Sequence, residues 1–252
     1  MKSVLVSGFF NPNDKQLFDN DINLDSYFEF GKRFLALDNN IIIFTDKYSS
    51  IITDIRSKYD KDLSKTKIIK TSIQDFYLYK EYYSVLDKLL KEDYNPRVSI
   101  SFSKKLKTAV YNIIQYSKGF LLEEAQKIDP SFDYYIWNDF GAYRSGEVGE
   151  YMKKWPNPFK LNKDKITFFN SGKVNIKDWK EEYTTYTNGG CIIVPSELIK
   201  EFVKRIKQAL KLMIDSGYVV DDQRIYDWIA FNTDGLVAYQ QCDWRKYTEH
   251  YN

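Results

Sequence analysis

Hydrophobic and polar positions along this 252-residue chain follow two alternating periods. Short apolar runs, SVLVSGFF at 3–10, NNIIIFTD at 39–46 and TKIIKT at 66–71, have the length and β-branched content of buried strands. Between them, FEFGKRFLALD at 28–38 and YSSIITDIRSKY at 48–59 place apolar residues three and four apart, which predicts helices. A helical pattern runs over 105–128, with Leu106, Val110, Ile113, Ile114, Ser117 and Leu121 on one stripe and Gly119 as the expected kink or break. YYIW at 134–137 is apolar throughout, as a strand covered on both faces should be. Residues 145–190 read as mostly loop, with a short strand in KITFFNS. CIIVP at 191–195 then leads into a helix capped by Ser196, carrying Leu198, Phe202, Ile206, Leu210 and Met213 inward and stopping at Gly217. Asp221 caps a last helix with Ile225, Trp228 and Ile229 inward, and LVAYQQ is a final strand. Strands alternating with helices predict an α/β fold with a mostly parallel sheet flanked by helices.

Composition narrows this little. Hydrophobic residues are 43% and charged residues 29%, the balance of a folded globular chain. Thirty-seven basic and 35 acidic residues leave a net charge of +2, which argues against nucleic acid as the partner. Two cysteines, Cys191 and Cys242, form no CxxC motif, so neither a disulfide framework nor a zinc site is expected. No run approaches the ~20 apolar residues of a membrane span, and no signal peptide is visible, so a cytoplasmic location is expected. The 21 tyrosines and 17 phenylalanines suit core filling and sugar stacking alike.

Four places carry candidate chemistry. Asn138-Asp139 follows an apolar strand and precedes Gly141. In open α/β sheets ligands bind beyond the carboxyl ends of strands, so Asp139 stands where a carboxylate would meet a metal and a phosphate; the same residues also make an ordinary Asx turn. Asp222 and Gln223 follow the capping Asp221 and are surplus to capping, so either would orient or deprotonate a hydroxyl. His250, the one histidine, suits a second Mn²⁺ ligand or is a plain tail residue. Lys118, at the edge of its stripe, would reach a phosphate or lie along the surface.

Taken in order, SGFFNP, IIIFTD, YSKGFLLEEA, YYIWNDFGAYR, TNGGCIIVP and DDQRIYDWIAF resemble the HtrL/YibB-like family, which is similar to glycosyltransferases of the GT-A fold. The resemblance spans nearly the whole chain. It implies one GT-A-like, Rossmann-like domain over 1–252, with a nucleotide-binding half at 1–144 and an acceptor-side half at 145–252. It implies transfer of a sugar from a nucleoside-diphosphate sugar, UDP-linked, to a glycan, lipid or protein acceptor, with Mn²⁺ or Mg²⁺. In GT-A enzymes an Asp-x-Asp motif holds that metal; Asn138-Asp139 stands in its place. The resemblance further implies that Ser7, Gly8 and Phe9 border the nucleotide, that Asp46 meets base or ribose, and that Lys118 and Arg144 offset phosphate charge. Asp139 and His250 would hold the metal, Gly189 and Gly190 would let backbone approach the sugar, and Asp222 would act on the acceptor, with Trp155, Trp179 and Tyr186 as acceptor platforms. The alternative is a non-catalytic nucleotide-sugar or glycan binder of the same fold.

Overall fold

The computed structural model describes residues 1–10, 24–91, 108–170, 187–243 and 246–252. Leu106, Trp179 and Tyr186, named above, lie outside these. A seven-stranded sheet is ordered β3-β2-β1-β4-β6-β5-β7. The strands are β1 (Ser3–Phe9), β2 (Asn40–Thr45), β3 (Thr66–Lys70), β4 (Tyr134–Asn138), β5 (Ile166–Asn170), β6 (Thr187–Pro195) and β7 (Val237–Gln241). β6 alone runs against its neighbours, β4 and β5; the other four pairings are parallel. The mixed α/β sheet expected from the alternation of periods is therefore present. It also crosses the expected division at 144/145, with β1–β4 on one side and β5–β7 on the other.

Period two makes both faces of the sheet apolar. Val4, Val6, Tyr135, Trp137, Ile192 and Val194 face one core, and Leu5, Phe9, Tyr134, Ile136 and Ile193 face the other. The first core is covered by α3 (Tyr77–Lys91), α4 (Ala109–Tyr116), α5 (Lys118–Ile128), α6 (Ile199–Asp215) and α7 (Asp222–Asn232), which supply Leu86, Ile113, Leu122, Phe202 and Ile225. The second is covered by α1 (Leu24–Ala36), α2 (Ser49–Arg56) and the segment around Trp155.

Three local expectations are corrected. The 105–128 pattern holds two helices, and the break is at Ser117, not Gly119. Gly119 sits inside α5, where a Cβ would lie 2.3 Å from Ile206 Cδ1, so its bareness seats α5 against α6. Ser196 opens a short 3-10 turn and caps nothing; α6 begins at Ile199. Helix α3, rich in tyrosine and lysine, had no counterpart among the expected elements.

One buried cation joins α1, α2 and β2. Arg56, 1% exposed, donates to the carbonyls of Leu35 (2.6 Å), Leu37 (2.8 Å) and Asn39 (2.9 Å) and to Thr66 Oγ1 (2.8 Å). Asp60 Oδ2 stands 3.7 Å from its guanidinium. These carbonyls end α1 and begin β2, so the fork replaces donors that a helix terminus lacks. Arg56→Ala should cost about 2–3 kcal/mol by removing a charged donor from three buried carbonyls, while Asp60 keeps Ser64, Lys65 and Thr66. Urea unfolding measures this, and a loss under about 1 kcal/mol would contradict the role.

Candidate functional site

Strand order reverses at the middle of the sheet: from β1 the chain steps to β2 and β3 on one side, and later to β4 on the other. Crevices form at the carboxyl ends of strands at such a switch point. Asp139 lies there, directly after β4. Its backbone N–H donates to the Gly190 carbonyl at 2.8 Å, extending the β4–β6 pairing by one step. Its side chain is 39% exposed. The Trp137 indole N–H donates to Asp139 Oδ1 at 2.7 Å.

Lys118, the first residue of α5, reaches the same carboxylate from the other side. Its ammonium lies 3.1 Å from Asp139 Oδ1 and 2.7 Å from Asp222 Oδ2, and donates to the Gly189 carbonyl at 2.9 Å. Lys118 is 2% exposed and Asp222 6%. Burial pulls the Lys118 ammonium down, but Asp139 and Asp222 together outweigh it and hold it above its usual value. Burial pushes the Asp222 carboxyl up, with Lys118 pulling back. Two carboxylates thus share one ammonium. Gly189 leaves room for the second of them: a Cβ there would lie 2.4 Å from Asp222 Oδ2. A Cβ on Gly190 would lie 2.8 Å from the Tyr247 hydroxyl and 3.6 Å from Asp139 Oδ2. Both glycines therefore serve the protein's own side chains.

The structure brings Lys118, Asp139, Gly189, Gly190 and Asp222 together, and Gln223 follows Asp222 in the first turn of α7. Arg144 is exposed near this mouth, its guanidinium 5.6 Å from the Phe30 ring centre and its Nε 3.4 Å from the Gly141 carbonyl. Other expected residues are placed differently. Asn138 is fully buried and donates to the Tyr143 hydroxyl at 2.9 Å, because alternation along β4 turns it away from Asp139. Ser7 is fully buried, and Phe9 packs among Tyr27, Phe28, Tyr48 and Phe140. Gly8 faces the Phe10 and Trp137 rings. Asp46 ends β2 and accepts from its neighbour's backbone, Lys47 N–H, at 2.6 Å. His250 Nδ1 lies 3.3 Å from Gln240 Nε2, and its carbonyl accepts from Trp155 Nε1 at 2.6 Å. That pairing sets it with Gln240 and Trp155 rather than with Asp139. Trp155 itself is 0% exposed, a core residue rather than an acceptor platform.

Three tyrosines were missed. Tyr27 of α1 stands against Gly141, 2.7 Å from where a Cβ would be, and Asp139 and Arg144 both act on its hydroxyl, which burial raises. Tyr111 of α4 is raised by burial and by Asp222, with Asp139 and Asp221 adding to it. Tyr226 of α7 is 1% exposed, and its hydroxyl finds no partner among the described residues. Among the described residues no three His, Cys, Asp or Glu side chains gather to hold a metal.

The arrangement is an α/β sheet with two carboxylates tied by one buried lysine at its switch point. The chain belongs to the HtrL_YibB family, described as a bacterial protein of unknown function, which matches residues 2–248. It is 24% identical over 222 residues to protein HtrL of Escherichia coli (strain K12), covering 81% of this chain and 73% of that protein. Among solved structures it is similar to mouse xyloside xylosyltransferase 1 in its apo form, at 13% identity and TM-score 0.49, over 96% of this chain and 86% of that one. A glycosyltransferase involved in glycosylation of the major capsid of PBCV-1 gives 11% identity and TM-score 0.46, over 96% and 82%. 4-Diphosphocytidyl-2C-methyl-D-erythritol synthase from Anaerococcus prevotii DSM 20548 gives 14% and 0.45, over 98% and 89%.

Asp221 caps α7, accepting from Arg224 N–H at 3.0 Å. Burial first and Asp222 second push its carboxyl up to about 7. A carboxyl raised in the folded state stabilises the fold at pH below its unfolded value, about 4, and loses that contribution as pH rises through its folded value. Stability should therefore fall between about pH 4 and 7. Asp221→Asn keeps a capping oxygen and should flatten this fall; equal losses in both proteins across a urea-unfolding series in pH would contradict it. Gly189→Ala should lower stability by about 1–3 kcal/mol by driving the Asp222 carboxylate off its seat. A melting point equal to that of the unsubstituted protein would contradict that.

Proposed function

We propose that this protein is a glycosyltransferase that moves a sugar from a nucleoside-diphosphate sugar, UDP-linked, to a hydroxyl of a glycan, lipid or protein acceptor. The observation that carries the reading is the half-exposed Asp139 carboxylate at the switch point, joined through Lys118 to the buried Asp222 carboxylate. The likeness of the sequence motifs to GT-A glycosyltransferases motivates the reaction class, and one domain spanning both halves of the chain belongs to the same reading.

The donor set suits a hard divalent cation at one point. Asp139 Oδ1 is engaged by Trp137 and Lys118, whereas among the described residues Oδ2 meets Lys118 alone, at 3.4 Å. Mn²⁺ or Mg²⁺ is bound by one or two carboxylates when phosphates supply the other oxygens, and Asp139 can serve so without His250. When bound, such an ion takes up the charge that builds on the leaving diphosphate. Asp139 and Asp222 both face the single ammonium of Lys118, so the pair is not fully matched by it.

The chain's own residues do the rest. Arg144 at the mouth offsets phosphate charge. Asp222 takes the acceptor proton in an inverting reaction, or stands behind the anomeric carbon in a retaining one. Gln223 orients the attacking hydroxyl. Tyr27 and Tyr111, from helices on opposite faces of the sheet, flank the entrance and offer rings to base or sugar. The second reading, a non-catalytic nucleotide-sugar or glycan binder, is motivated by Trp137, which stands where an Asp-x-Asp motif has its first acid.

Asp139→Ala should reduce metal-dependent hydrolysis of the donor by roughly 100-fold or more while circular dichroism stays that of the parent. Unchanged turnover refutes the assignment. Calorimetry with UDP and Mn²⁺ separates the two readings, since tight binding without hydrolysis across a donor panel leaves the binder.

A further inference from the structure

A phosphate-binding lysine must offer its ammonium to solvent or to a cleft. Lys118 offers nothing of the kind. It has three N–H bonds to give and three protein oxygens around it: Asp222 Oδ2 at 2.7 Å, the Gly189 carbonyl at 2.9 Å and Asp139 Oδ1 at 3.1 Å. With 2% of the residue exposed, its charge is used up inside the protein. These oxygens, one hydrogen-bonded carbonyl and two ion-paired carboxylates, come from β6, the end of β4 and α7, so one atom joins three elements that the chain visits far apart.

Two further observations show that the Asp222 carboxylate has a specified place. The missing side chain at Gly189 opens the space into which Oδ2 fits, 2.4 Å from where a Cβ would be. On the other flank Asp139 is pinned by the Trp137 indole, whose ring centre lies 5.9 Å from the Lys118 ammonium. Steric room, an ammonium and an indole donor together set the separation of the two carboxylates.

We propose that Lys118 is the positioning residue of this site: by tying Asp222 and the Gly189 carbonyl to Asp139, it fixes where the acceptor-side carboxylate stands relative to the donor. The roles of the two carboxylates rest on the glycosyltransferase reading; the tie itself does not. Displacing a reacting group by about 1 Å costs on the order of 100-fold in rate. Loss of Lys118 therefore acts on turnover more than on donor binding, because Asp139 keeps Trp137 and its exposure.

The test begins with Lys118→Ala in the full chain, assayed for hydrolysis of nucleotide sugars with Mn²⁺. The expected result is a fall in kcat of roughly 100-fold with donor KM within about threefold. Propylammonium, which replaces the atoms removed, should restore kcat in a saturable way, and 1-propanol, of the same shape without charge, should not. Unchanged kcat, or equal rescue by the alcohol, overturns the proposal. Should Lys118→Ala not fold, or should the parent turn over no donor, the tie is read from urea unfolding of Lys118→Met, Asp222→Asn and the double variant. Removing either partner of a buried pair strands the other. The two substitutions should therefore depart from additivity by about tenfold or more in the unfolding equilibrium constant. Additivity within about twofold overturns the proposal. A parent that binds no nucleotide while the coupling stands refutes the glycosyltransferase reading alone.

Discussion

A sheet packed on both faces has one place to present polar groups, the ends of its strands. The central strands β1, β2, β4 and β6 put apolar residues on both faces, and the charged Asp139 appears only where β4 stops. The position of the site follows from that constraint together with the reversal of strand order between β1 and β4. Helix α5 packs over both strands, so its first residue falls at their carboxyl ends, and Lys118 is delivered to the site by the same packing that closes the core.

Charge inside the site is arranged as an uneven balance. Lys118 neutralises one carboxylate's worth of charge and faces two, with Asp221 close behind. Burying such a set is costly unless each group is held by partners, and each is: Asp139 by an indole, Asp221 by a helix N-terminus, Asp222 by the ammonium.

The fold was largely legible because period two and period three-and-a-half are physical requirements of strands and helices. All seven strands stood out as short runs, and β6 proved longer than CIIVP, reaching back to Thr187 through the two glycines. What escaped were features of packing rather than periodicity. Gly119 looked like a helix breaker by propensity, yet its bareness answers to Ile206, a residue far along the chain. Gly189 and Gly190 suggested room for a ligand, and no local signal revealed that Asp222 and Tyr247 already use that room. Asp139, Lys118 and Asp222 were each visible as candidates; that they meet at one atom is a property of three dimensions. Neighbourhood in sequence does not give side-chain direction: Asn138 turns to the Tyr143 hydroxyl, whereas Asp139 beside it meets the Trp137 indole.

The amide of Asp139 is bonded to the Gly190 carbonyl, one step beyond the last paired residues of β4 and β6. The acid is thus mounted on the ladder itself rather than on a free loop. Backbone in such a position opens only when the central strands open, so its hydrogen should exchange with solvent as slowly as those of the core. The candidate site therefore has a stiff edge, and whatever gives way there must be the walls around it.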